Sequence, residues 1–433
     1  MPNRLPRPPL NGAALDDLWL DATTKGMPAG PPTRLADIGA RRLNLLAGDL
    51  PTPVAVLRLD RLLANSAWMS AFARDNGLAL APHGKTTMAP QLFALQMRDG
   101  AQAITVATTQ QLAVLRRFGF PRAVLANQPT GRVAIDACFE ALSQDDGFEL
   151  VCLADSLEGV AALAAGAARS RAKRRLGVFV EIGFLGGRTG ARDPALALEV
   201  ARAVARAPGL ALRGVEAFEG LLSDMAAIDR VLGTIVETAR AGVAEGLFAA
   251  DGPVTLSAGG SAFFDRVGEA FRAAEIGAPT QQLLRSGCYL SHDSINYAQS
   301  FARIRSQTSL NLPPGGLEAA IEVWAAVQSR PEPARSIVTM GKRDVSFDNG
   351  LPTPLAWRDA DGPAIAQPMP GTAALVAMND QHGHLVTTPD SPLAIGDLIG
   401  FGVGHPCTTF DKWRVLYVVD ADYTVVDAAA TFF

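Results

Sequence analysis

The sequence predicts an α/β protein: a closed (β/α)8 barrel of the TIM type with a second, mostly antiparallel β domain. Three observations carry this. Between residues 53 and about 290, short β-branched or apolar runs alternate with alanine- and leucine-rich stretches of helical period. The runs are close to continuously apolar, as parallel strands buried on both faces are. After about residue 300 the texture changes to strand-like runs divided by Pro, Gly, Asn and Asp, with few helical segments. A chain of 433 residues also exceeds what one hydrophobic core usually serves. The expected division is a barrel over 60–300 and a β domain over 301–433, the latter joined by the N-terminal segment 1–59.

Taken in order, the proline-rich start and the helix-like "LADIGARRLNLLAG" have no evident barrel role and are expected beside the β domain. The apolar runs are then "PVAVLRL" (53–59), "LALAPHG" (78–84), "AITVAT" (103–108), "AVLANQ" (123–128), "FELVCLAD" (148–155), "LGVFVEIG" (176–183), "LRGVEAF" (212–218), "PVTLSAGG" (253–260) and "QQLLRSG" (281–287). Between them lie helical segments such as "TTQQLAVLRRFG", where Thr108 and Gln111 have capping-box spacing and Gly119 can close the helix. Eight repeats make a closed barrel, so nine runs leave one for another domain. An open doubly wound sheet is the competing architecture, but no glycine-rich dinucleotide turn follows the first strand. The β domain is read from "LEAAIEVWAAVQSR", "SIVTMGKRDVSFDNG", "ALVAMNDQHGHLVTTPD" and "WRVLYVVDADYTVVDAA".

Composition removes several function classes. A net charge of -4 offers no basic field for phosphate backbones, so nucleic acid is not an expected partner. No apolar run is long enough to span a bilayer, and the start lacks the apolar core of a signal peptide. The four cysteines, Cys138, Cys152, Cys288 and Cys407, are too few and too scattered for a disulfide framework, which fits a reducing cytoplasm.

Candidate chemistry gathers at the ends of the runs. His83 and Lys85 follow "LALAP" two residues apart, so both side chains face one way, at the end of a barrel strand where active sites form. Lys85 is either a solvated charge or a desolvated amine of lowered pKa able to form a Schiff base with a carbonyl. Gly259, Gly260 and Ser261 end one run, and Arg285, Ser286, Gly287, Cys288 and Tyr289 end the next. Small residues and hydroxyls there suit an anion site, although each loop alone reads equally as a turn. Arg188 sits in the glycine-rich "EIGFLGGRTG", where a guanidinium can meet a phenolate or carboxylate. His405 and Cys407 flank a proline in "GVGHPCTTFDKW"; imidazole with thiolate is a zinc-type donor pair, and a free cysteine beside a satisfied histidine is the alternative. His382 and His384 could add a ligand but read more simply as turn residues.

Together, "PHGKTT", "EIGFLGGRTG", "SAGGS", "LRSGCY" and "GHPCTTFD", in this order, resemble the D-threonine aldolase and D-serine dehydratase family. These fold-type III pyridoxal-phosphate enzymes are related to the alanine racemase N-terminal barrel. The resemblance spans roughly residues 50–430 and points to the D-serine deaminase-like branch. It implies that Lys85 holds pyridoxal phosphate and that the run at 53–59 belongs to the β domain, leaving "LALAPHG" as the first barrel strand. It further implies that Gly259, Gly260, Ser261, Gly287, Cys288 and Tyr289 cradle the phosphate. Arg188 would face the phenolic oxygen and Arg285 the pyridine nitrogen, with His83 among the cofactor-binding residues.

By the same resemblance, a His-x-Cys pair holds zinc in the dehydratases, whereas aldolase members tend to carry His-x-Asp. His405 and Cys407 therefore imply dehydration of D-serine-like D-3-hydroxyamino acids to a 2-oxo acid and ammonia, in a homodimer. A D-threonine-type aldolase and a non-catalytic pyridoxal-phosphate carrier are the rivals. The sequence departs from the family at Ala81, Thr87 and Met88 around the lysine, and at Phe218, where an aromatic hydroxyl is usual.

Overall fold

The computed structural model describes residues 4–433. Eight parallel strands, Ala79–Leu80, Ile104–Val106, Arg122–Leu125, Glu149–Ala154, Leu176–Ile182, Leu210–Ala217, Val254–Ala258 and Thr280–Leu284, form one sheet. The last pairs back onto the first, with Leu283 opposite Ala79 and Leu284 opposite Leu80. The ring closes between the first two strands. There the Gln102 amide donates to the Leu80 carbonyl at 2.8 Å and the Thr105 amide to that of Pro82 at 2.8 Å. The fold is thus the TIM-type barrel with a mainly antiparallel second sheet.

Helices cross between the strands because each carries one apolar stripe and a start signal. In the helix Thr109–Arg117 the Thr108 hydroxyl accepts from the Gln111 amide at 3.2 Å, while the Gln111 side chain accepts from the Ala107 amide at 2.8 Å. Gly119 then ends the segment at φ 78°, a conformation that glycine adopts without a Cβ penalty. Ser156, Asp193 and Asp224 cap three further crossover helices in the same manner. Ala79, Ala81, Ala103, Val124, Leu153, Phe179 and Leu283 fill the barrel interior, so the barrel is packed rather than hollow along its axis.

The second sheet draws on both ends of the chain. Val54–Arg58 pairs antiparallel with Ile321–Glu332, Leu57 facing Ile321 and Val54 facing Trp324, and parallel with Val415–Val419. Its apolar run is indistinguishable in pattern from a barrel strand, but its partners lie more than two hundred residues away. The short helix Pro406–Phe410 of this half packs against the Gly84–Thr86 turn at the end of the first barrel strand. That contact brings "GHPCTTFD" to the barrel mouth within a single chain. All four cysteines are free thiols, and among the described residues no helix is long and apolar enough to cross a membrane.

Candidate active site

Lys85 stands in the one-turn helix Gly84–Thr86, directly after the first barrel strand. The turn must be tight, because a Cβ at Gly84 would press on Ile104 and on the Phe93 ring. Burial pushes the Lys85 amine below its ordinary pKa. The Cys407 and Cys288 thiols oppose that shift, and the Arg188 and Arg285 cations reinforce it. Four chemically active side chains thus act on one amine. The lysine amine is desolvated rather than a solvated strand cap.

His83 is held neutral. Burial, then the charges of Lys85, Arg285 and Arg188, keep its pKa well below the ordinary imidazole value, and its Nδ1 is buried without a hydrogen-bond partner. On the neighbouring strands, Arg285 is buried and forms an ion pair with Glu216, while also donating to the Ser257 hydroxyl and, at 3.0 Å, to the Ala217 carbonyl. Burial pushes the Glu216 carboxyl up to about 7; Arg285 pulls it down and Glu181 adds to the rise. The arginine is therefore oriented from three sides before any ligand arrives.

Arg188 lies exposed in its loop, with its guanidinium over the Phe218 ring at 4.8 Å. Phe218 thus keeps the aromatic platform and loses only the hydroxyl usual there. Gly260 must be small for the same reason, since a Cβ would sit 3.1 Å from that ring.

The expected anion cradle is more particular than its motifs indicated. The amides of Gly259 and Gly260 donate to the buried carboxylate of Glu219 at 3.1 and 2.8 Å. Burial raises the Glu219 pKa while those two amides lower it. A carboxylate bound by two backbone amides shows that this loop converges on negative charge. The Ser261 hydroxyl accepts from the Cys288 amide at 3.2 Å, tying the two loops together. A Cβ at Gly287 would run into the His83 backbone, so only glycine lets this turn close over the lysine strand. Gly287→Ala is expected to lower kcat/KM on the order of 10²-fold, the effect of misplacing a bound group by about 1 Å. Titration of the apoprotein with pyridoxal phosphate checks the same loss directly.

Two expected cradle side chains point elsewhere. The Tyr289 hydroxyl is buried against Gln96, and burial raises its pKa. The Cys288 thiol lies 3.6 Å from the Cys407 sulfur and 3.6 Å from the Thr86 hydroxyl. Only the backbones of these residues stay with the loop.

His405 and Cys407 have different hydrogen-bond partners on the two sides of their proline. His405 Nδ1 bonds Asp348 at 2.7 Å, and Thr408 bonds the same carboxylate at 2.8 Å. Cys407 turns toward Thr86, 3.4 Å away. His384 bonds Asn379 inside its own hairpin. Among the described residues no three His, Cys, Asp or Glu side chains are grouped so that they could hold a metal ion. The donor chemistry nonetheless fits an open site. A histidine whose Nδ1 is bound by a carboxylate presents Nε2 to a metal, the usual arrangement around ligating histidines. Pyridoxal phosphate fits as well, given the desolvated amine, the glycine-only turn at Gly287, the anion-binding amides and the unpartnered nitrogen of a neutral His83.

Pattern reading did not identify Glu216, Glu219, Asp348, Thr86 or Tyr297, which bonds Cys288. Glu181 and Glu216 had a usable signal, as lone carboxylates within largely apolar runs. A cavity of about 570 Å³ opens at the opposite end of the barrel, lined by strand residues such as Arg122, Arg213 and Gln281. Its charges are already paired there, Arg122 with Glu149 at 3.1 Å and Arg213 with Asp251.

Comparison with known proteins agrees with this geometry. The family model for the alanine racemase N-terminal domain matches residues 57–293, and a serine dehydratase domain model matches residues 320–419. The 3-hydroxy-D-aspartate aldolase of Paracoccus denitrificans (strain Pd 1222) is 25% identical, covering 85% of this chain and 88% of that one. The D-threo-3-hydroxyaspartate dehydratase of Delftia sp. (strain HT23) is 30% identical over 57% of this chain and 62% of its own length. Among solved structures, D-threonine aldolase from Filomicrobium marinum shares the fold, with a TM-score of 0.73 and 22% identity over 93% of this chain and 98% of that one. The chain belongs to the alanine racemase N-terminal domain family, its barrel followed by a second, mainly antiparallel sheet.

Proposed function

We propose that the chain is a pyridoxal-phosphate-dependent lyase of D-3-hydroxyamino acids that dehydrates D-serine-like substrates to a 2-oxo acid and ammonia. The observation that carries this reading is the convergence of the Lys85 amine with Arg188, Arg285 and the Cys407 thiol at the barrel mouth. The names of the relatives, an aldolase and a dehydratase of hydroxyaspartate, support the substrate class.

Pyridoxal phosphate bound at Lys85 supplies an electron sink for negative charge at the substrate Cα. Lys85, its pKa lowered by burial, would be the base that takes the Cα proton. Arg285 has donors and no acceptor, so facing the ring nitrogen it would leave that nitrogen unprotonated. Arg188 on Phe218 would hold the phenolic oxygen. Ser261 with the Gly287–Cys288 turn would hold the phosphate, beside amides already given to Glu219. His405 and Cys407 would hold a divalent ion, zinc by donor type, where a Lewis acid assists departure of the β-hydroxyl. A cytoplasmic homodimer is the assembly proposed.

Cleavage of Cα–Cβ is the second reading, favoured by the aldolase names and opposed by the thiol at position 407. Product analysis separates the two. With D-serine and D-threo-3-hydroxyaspartate, ammonia and a 2-oxo acid are expected. Chelation should lower kcat/KM by on the order of 100-fold, the scale for removing one stabiliser of transition-state charge, and zinc should restore it. Glycine and an aldehyde as products would move the assignment to the aldolase. A cofactor-loaded protein that turns over neither substrate would leave the carrier.

A further inference from the structure

We infer that Cys288 is a second thiolate ligand of the metal that Cys407 binds, so that one thiophilic divalent ion is clamped between the barrel and the β domain. The inference rests on the metal-dependent reading above and adds to it a donor from the barrel.

Cys288 follows the last barrel strand, and its backbone belongs to the anion cradle, yet its side chain leaves the cradle. Its sulfur stands 3.6 Å from that of Cys407 across a sequence separation of 119 residues. Two thiolates on one tetrahedral zinc, each at about 2.3 Å, lie roughly 3.8 Å apart. The observed spacing is close to that edge without any movement of either loop. Thr86 touches both sulfurs, at 3.6 and 3.4 Å, and holds them on one side of the Lys85 turn. His405 is held by Asp348 and forms no group of three with these sulfurs, so the two thiols are the donors that the geometry brings together. A site with two thiolates selects soft or borderline ions such as zinc and cadmium over magnesium or manganese.

The test uses the cofactor-loaded, full-length protein, stripped of metal by chelation and titrated with cadmium, reading the ultraviolet thiolate-to-cadmium charge-transfer band. The wild type should show twice the band intensity per bound ion of either Cys288→Ser or Cys407→Ser, and the double variant should show none. Zinc affinity of Cys288→Ser should fall on the order of 10–100-fold or more, since even outer partners of a ligand carry that much. Retention of the visible cofactor absorbance in Cys288→Ser shows that the fold survives. Cadmium-113 NMR of the wild type counts thiolates without any substitution. A band that Cys407→Ser abolishes and Cys288→Ser leaves intact would overturn this inference and keep the metal reading. A wild type with no band would overturn both, and a thiol count two short in the untreated protein would replace the ligand pair with a disulfide.

Discussion

Lys85→Ala is expected to remove turnover of D-3-hydroxyamino acids and the visible absorbance of lysine-bound cofactor together. The amine is buried and surrounded by Arg188 and Arg285 rather than by carboxylates, an environment that favours the neutral, reactive form. Loss of the base alone removes about 10²–10⁴-fold in rate, and loss of covalent attachment adds to it. Lys85→Arg is the informative control. It restores the charge and the approximate length but cannot act as a base, because guanidinium stays protonated. Both variants should therefore be inactive, while the alanine variant keeps its thermal stability, since it removes a desolvated amine and breaks no ion pair. An active Lys85→Arg enzyme would mean that position 85 contributes only charge.

Glu216→Ala is expected to destabilise the apoprotein by about 3–5 kcal/mol, the cost of stranding a buried charge. At about 2–4 °C per kcal/mol for domains of this kind, the melting temperature should drop on the order of 10 °C. The reason is local. Arg285 and Glu216 are both almost inaccessible to solvent, and the remaining arginine partners, Ser257 and the Ala217 carbonyl, are uncharged. Glu216→Gln keeps shape and an acceptor and should fall between. Glu216→Leu combined with Arg285→Met removes both charges and should recover most of the stability, though not the activity. A melting curve for Glu216→Ala within a degree or two of the wild type would show that the pair does not hold the barrel end together.

The barrel was legible because its strands are short apolar runs separated by capped helices, and all eight observed strands fall on such runs. The run at 53–59 shows where pattern stops: Val54–Arg58 is fully buried like a barrel strand, and only its pairing with Ile321–Glu332 places it in the other sheet. Strand pairing over such separations leaves no trace in local periodicity. At the site, residues at strand ends could be nominated because position alone puts them at the mouth. Side-chain direction could not. Cys288 and Tyr289 sit in the cradle motif yet turn to Cys407 and Gln96, because close packing of the Gly287 turn against His83 decides where the following side chains go. Glu219 replaces an expected ligand contact with an internal carboxylate, a substitution that depends on two loops meeting in space.

The account turns on Lys85 as the cofactor lysine, and borohydride reduction of the purified protein followed by peptide mapping tests that most directly. One pyridoxyl group on the peptide containing "PHGKTT", at Lys85 and absent from Lys85→Ala, is the predicted result. A pyridoxyl group on another lysine, or none on a protein saturated with pyridoxal phosphate, would contradict it.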